Sequence, residues 1–183
     1  TQWNQRYPDL IKEALRAITP LRMSEVLRGL LEEQIPVRDL RTILESFTAH
    51  APQEKDTEQL IEKVRAGLRR QISERFSTTG SELRAFLVNP EFEYQLRKVL
   101  SDRSAQQQED LQKLITHFQS DLVTHISNLK NTGEDNPPVI LLSASDVRRI
   151  IRQFTQKKHP AVVVLAFQEL ADTLSIHSLG QIA

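Results

Sequence analysis

The chain reads as an α+β protein, a helical subdomain followed by a small α/β subdomain with a short mixed sheet. Apolar residues recur at helical spacing from Tyr7 to Phe76. Beyond Gly80, short apolar runs bounded by turn formers alternate with helical stretches. The predicted division is therefore 1–79 helical and 80–183 α/β.

The helical half opens with Leu10, Ile11, Ala14, Leu15 and Ile18 on one stripe, stopped by Pro20. Met23, Val26, Leu27, Leu30 and Leu31 follow at i, i+3, i+4, i+7 and i+8, the stripe a helix buries. Pro36 is placed to open the next helix, where its missing N–H needs no partner, and Val37, Leu40, Ile43, Leu44 and Phe47 continue the period. Asp56 offers an N-cap to one long helix burying Leu60, Ile61, Val64, Leu68, Ile72 and Phe76. Ser77 to Ser81, with Gly80, ends it.

The second half begins with a strand at Leu83–Val88. Asn89 and Pro90 then cap and open a helix with Phe92, Leu96, Val99 and Leu100 inward. After the polar connector Asp102–Gln108, a second long helix carries Leu111, Leu114, Ile115, Phe118, Leu122, Ile126 and Leu129, and Asn131–Pro138 is loop. Val139–Leu142 and Val162–Leu165 are continuous apolar runs, the mark of strands covered on both faces. Between them Ser143 or Ser145 caps a helix burying Val147, Ile150, Ile151 and Phe154. A helical turn at Gln168–Ala171 and an edge strand at Ser175–Leu179 complete the chain.

Composition narrows the function. Lys plus Arg equals Asp plus Glu at 24 each, so no net field draws the chain to nucleic acid or an anionic membrane. No cysteine is present, which removes disulfides, thiolate nucleophiles and Cys-ligated zinc. No apolar run approaches the roughly 20 residues of a membrane-spanning helix. Thr1 is not an initiator Met, which leaves room for a larger protein with its membrane part outside this sequence.

Chemistry is scarce. The five glycines stand apart, so neither a Walker loop nor a dinucleotide fingerprint exists, and no cofactor is expected. His117 and His125 lie about two turns apart on one helix, too far to grip one metal ion, and His159 with Lys157 and Lys158 suits a helix C-terminus. Ser143-Ala-Ser-Asp146 after a strand lacks the glycines of a nucleophile elbow, and N-capping explains it. No catalytic residue is assigned. Arg38, Arg41 and Glu45, at i, i+3 and i+7, form a candidate oligomer interface beside a core of Leu40 and Leu44. Arg148 and Arg152, one turn apart and expected to point outward, form a candidate partner-binding face, with Arg65 and Arg69 as a second. Residues 23–47 also have a helix-turn-helix look, the basis of an alternative reading as a nucleic-acid-binding regulator, although Asp39 and Glu45 would face phosphates.

Val26–Phe47 (VLRGLLEEQIPVRDLRTILESF) closely resembles a segment of the large export-gate subunits of type III secretion, the flagellar FlhA and injectisome SctV proteins. Ser145–Leu170 (SDVRRIIRQFTQKKHPAVVVLAFQEL) resembles the last α/β unit of the same family, and Ala51–Ile72 (APQEKDTEQLIEKVRAGLRRQI) is similar to its injectisome branch. In the segment after His159-Pro160, Ala161 and Val162 stand where relatives usually place an acidic residue and Leu. The resemblance implies the end of the cytoplasmic domain of an inner-membrane protein, with the membrane half absent from this sequence. It implies a homo-nonameric ring on the cytoplasmic face that receives export substrates, their chaperones, a gatekeeper and the ATPase stalk protein, while the balanced charge and the lack of a catalytic constellation lead to the expectation of no nucleic-acid binding and no enzymatic activity.

Overall fold

The computed structural model describes residues 7–78, 80–102, 104, 106–131 and 138–183. The chain divides into two compact units, one running to Ser81 and taking back Gln168–Leu174, the other formed by Glu82–Phe167 and Ser175–Ala183. The predicted 80–183 subdomain is thus interrupted, because a short stretch between its last two strands folds with the helices.

In the helical unit the described elements are α1 (Pro8–Ala17), α2 (Pro20–Glu32), α3 (Leu40–His50), α4 (Thr57–Gly67) and α5 (Arg69–Phe76). Pro20 ends one helix and opens the next, since Thr19 Oγ1 accepts the Arg22 N–H at 3.3 Å and Pro needs no donor at N1. α3 packs on α1 and α4, and α2 on α4. Ala14, Val26, Leu30, Ile43, Phe47, Leu60, Val64, Leu68 and Ile72 fill the interior. Gly29 lets α2 approach α4 closely, since a β-carbon there would stand 2.5 Å from Ile61 Cδ1.

Two helix boundaries differ from expectation. α2 closes in a Schellman turn, in which the Ile35 N–H donates to Leu30 O and the Gln34 N–H to Leu31 O, both at 2.9 Å. Gln34 takes the left-handed conformation (φ 60°) that glycine usually supplies, and Ile35 enters the core. The chain is therefore still leaving α2 at Pro36, so Pro36 does not open the next helix. Asp39 caps it instead, its Oδ1 accepting from Thr42 N at 3.1 Å and its Oδ2 from Thr42 Oγ1 at 2.7 Å. The expected long helix is likewise two, broken at Leu68 (φ −88°, ψ 16°), whose buried side chain and tight turn sit beside Gly67.

The second unit contains β1 (Glu82–Val88), α6 (Pro90–Ser101), α7 (Gln107–Asn131), β2 (Ile140–Ser143), α8 (Ser145–Gln156), β3 (Val163–Ala166) and β4 (Ser175–Ile182), and a 3₁₀ turn (Phe167–Glu169) leads from β3 into the stretch that folds with the helices. The strands lie in the order β3-β2-β1-β4 and every described pairing is parallel, so the sheet is not mixed. The physical reason is the excursion of Gln168–Leu174, which carries the chain from the end of β3 to the start of β4 instead of reversing it in a hairpin. Phe118 of α7 anchors the core, 4.9 Å from the Phe92 ring and 5.2 Å edge-on to Phe154, with Leu96, Leu122, Leu141, Ile151 and Ile182 around it. Leu100 is exposed rather than inward. Most of the predicted loop Asn131–Pro138 lies outside the described residues.

Ser145 does not cap α8. The N-cap is Ala144, whose N–H donates to Glu93 Oε1 at 2.7 Å, so a carboxylate from α6 replaces the local serine. Arg97 steadies that carboxylate and reaches Asp146 Oδ1 at 2.8 Å. The hydrogen bond from Arg97 holds the Asp146 carboxyl below its usual range.

Gln34→Gly is expected to stabilise the protein by about 0.5–1 kcal/mol, because a left-handed residue with a β-carbon costs on the order of 1 kcal/mol. Urea denaturation measures it. An unchanged or lower midpoint would show that the contact between Gln34 Oε1 and Arg75 Nη2, at 3.4 Å, outweighs the backbone strain.

Candidate assembly and docking surfaces

The expected oligomer interface is only partly assembled on one element. Arg41 and Glu45 lie on α3 and pair with each other, Nε to Oε1 2.8 Å, both largely exposed. The hydrogen bond that Arg41 donates to Glu45 raises the Arg41 pKa. Arg38 is exposed too, but it precedes the Asp39 cap, so the helical spacing that was to align it with Arg41 and Glu45 does not apply. Leu40 and Leu44 are half-buried rather than core, because Ile43 and Phe47, one turn apart, take the inward face with Ser46 between them. A neighbouring feature escaped the sequence reading. Leu21 is 72% and Leu31 56% exposed on α2, along the face that also carries exposed Ser24, Glu25, Arg28 and Glu32. Leu30 follows Val26 into the core one turn on, while Leu31, about 100° further round the helix, falls outside it.

The helix-turn-helix reading loses its geometry here. The stretch 33–39 between α2 and α3 is longer than the three-to-four-residue turn of that motif, and the Asp39 carboxylate sits at the N-terminus of the would-be reading helix.

Arg65 is not on a docking face. Its side chain has no solvent exposure, and its Nε and Nη2 donate to Glu169 Oε1 and Oε2 at 2.6 and 2.8 Å, the parallel fork that a guanidinium makes with one carboxylate. Glu33, just past α2, brings Oε2 to 3.1 Å from Nη1. Arg65 follows Ile61 and Val64 on the packed side of α4, so it points where two carboxylates converge. Arg69 does remain accessible, 55% exposed and only 3.9 Å from the still more exposed Asp172.

Arg148 is also buried, at 1% exposure, and its expected outward orientation is overturned. The cause is visible at the outer edge of the sheet. The Val163 N–H donates to Val139 O at 2.9 Å, toward β2, so the carbonyls of its neighbours Val162 and Val164 point away from the sheet. Arg148 Nη1 donates to Val164 O at 3.1 Å, and Arg152 Nη1 to Val162 O at 2.9 Å. One helical turn, about 5.4 Å, nearly matches two strand residues, about 6.6 Å, so arginines at i and i+4 meet carbonyls at j and j−2. Arg152 is half-buried by this reach.

Opposite outcomes follow for arginines that the sequence treats alike. Glu169→Ala is expected to cost about 3–5 kcal/mol, since it leaves the Arg65 charge buried without its main partner. Arg148→Ala should cost about 1–3 kcal/mol by orphaning a strand carbonyl, whereas Arg69→Ala should change stability by less than about 0.5 kcal/mol. Chemical denaturation of the three variants checks the order, and an Arg148 variant as stable as the Arg69 one would return Arg148 to the surface.

Residues 1–175 match the FHIPEP family. The chain is 36% identical to the invasion protein InvA of Salmonella typhimurium over 99% of its length and 26% of InvA, so it spans about a quarter of that relative. Among solved structures, the CdsV protein of Chlamydia pneumoniae superposes with a TM-score of 0.84 at 31% identity, over 99% of this chain and 51% of CdsV, and CdsV is also known in complex with CdsO. The nonameric EPEC SctV-C follows with a TM-score of 0.74 at 30% identity, over 97% of this chain and 53% of that one. With nearly its whole length, helical half and α/β half alike, matched in these proteins, the chain belongs to the FHIPEP family, in the injectisome branch of type III secretion, and corresponds to part of the SctV C-terminal domain.

Proposed function

We propose that this chain is an assembly and docking module of a type III export gate, working without catalysis at the cytoplasmic face of the inner membrane as part of a longer membrane protein. The observation that carries the reading is the fold-wide likeness to the nonameric SctV-C, at a TM-score of 0.74. A ring of identical subunits needs a heterologous contact, in which two different patches of the same chain meet. The helical unit supplies suitable material in exposed Leu21 and Leu31 set among Glu25, Arg28 and Glu32, with Arg38, Arg41 and Glu45 as a charged flank. Apolar anchors rimmed by charges of both signs are the usual make-up of a protein interface.

The gate so formed receives export substrates and their chaperones, a gatekeeper and the ATPase stalk. The complex of the relative CdsV with CdsO supports a partner-facing role for this region. Among the sequence-predicted docking arginines, Arg69 keeps its place in this reading as an accessible cation, while Arg65 and Arg148 act inside the fold. The nucleic-acid-binding alternative is not favoured.

Replacing Leu21 and Leu31 together by Asp, or Arg41 by Glu, in the complete cytosolic domain should leave melting essentially unchanged and shift native mass from ring to monomer. A parent domain that never forms a closed ring would sink the gate reading. Rings that persist in both variants would move the contact away from α2 and α3.

A further inference from the structure

The two edges of the sheet are treated unequally, and the difference identifies a binding site. At the β3 edge, Arg148 and Arg152 occupy the outward carbonyls of Val164 and Val162, so no further strand can add there. Within β4 the side-chain bonds to backbone among the described residues are local and meet backbone past its first four residues, Ser178 Oγ accepting the Gly180 N–H at 3.3 Å and donating to the Gly180 carbonyl at 3.4 Å. Ser175–Ile182 contains no Lys, Arg, Asp, Glu or Pro, the residue types by which edge strands usually repel another strand. A register shift between Ala85 and Leu87, with Gly180 at φ 138°, irregularises only the later part of the strand. Ser175 to Ser178 pair one-to-one with Glu82 to Ala85, and all four are exposed, including Ile176 at 42%.

We infer that the Ser175–Ser178 segment of β4 is a strand-addition site for an extended, uncharged stretch of exported polypeptide. An open ladder of backbone donors and acceptors fits another backbone in extended form, and Ile176 offers one apolar contact for its side chains. A second copy of the chain is the wrong occupant. Pairing β4 with β4 relates the two copies by a two-fold axis, whereas a closed ring such as the nonameric relatives form repeats one heterologous contact around a single axis. The inference rests on the export-gate reading, from which the identity of the occupant comes. Backbone recognition also suits that role, because it tolerates the varied sequences an export gate must accept.

The test is hydrogen exchange of the 183-residue chain with millimolar peptide of alternating Val and Thr, beside the same peptide N-methylated at two consecutive central residues to block both of its edges. The plain peptide should slow exchange in Ser175–Ser178 by about tenfold or more, and the methylated one should not. Ile176→Lys with Ser178→Lys, its folding checked by circular dichroism, should abolish the protection. No slowing at millimolar peptide, or equal slowing by the methylated peptide, overturns strand addition. Native mass of the complete cytosolic domain separates the two readings. A ring without β4 protection removes strand addition alone, and protection without a ring removes the exported chain as its occupant.

Discussion

The buried ion pair of Arg65 with Glu169, joined by Glu33, is the constraint around which the helical unit is arranged. A guanidinium without solvent contact is tolerable only where carboxylates meet its donors, and here Glu33 just past α2 and Glu169 in the 3₁₀ turn after β3 meet Arg65 in the last turn of α4. The fork geometry fixes direction as well as distance, so it places the 3₁₀ turn within the unit rather than merely attracting it. Ser73 adds a second tie, its Oγ accepting the Ala171 N–H at 2.8 Å. Gln168–Leu174 is thereby committed to the helices, and the chain enters β4 only after leaving them.

Arginine has the same office in both units. In the α/β unit Arg148 and Arg152 satisfy strand carbonyls that water would otherwise have to reach, and Arg97 braces the Glu93 carboxylate that caps α8. Long side chains with rigid planar heads reach across elements where a short polar residue cannot. The chain is electrically neutral overall, yet several of its charges are spent on internal geometry, so its surface field is not a simple reading of its composition.

Much of the fold was legible because apolar burial is periodic and local. Val26–Leu30, Ile43–Phe47 and Leu60–Val64 announce their helices, Asn89-Pro90 announces α6, and the apolar run Val139–Leu142 announces β2, displaced by only one residue from Ile140–Ser143. Features that depend on distant partners were not legible. Charge rather than spacing marks Arg65 and Arg148 as outward, since Arg65 lies one turn from Ile61 and Arg148 one turn from Ile151, and nothing near them in sequence reveals Glu169 or the Val164 carbonyl. The Schellman turn was hidden by a glutamine at a position where glycine is the usual flag, and the cap of α8 by a glutamate from another helix. Of the candidate interaction residues, exposed Arg41 and Glu45 were legible from the helix period. Leu21 and Leu31 were not, because an apolar residue is read as core until its neighbours are known.

The helical unit is also discontinuous in time. Arg65 and Glu169 are separated by 104 positions, so a ribosome adding roughly 5–20 residues per second exposes the arginine several seconds before its partner exists. Through that interval α4 carries a charge that cannot be buried at low cost, and the helices emerge without the segment that completes their packing. Of the two units the helical one starts earlier, yet its completion is tied to delivery of the strands that precede Glu169.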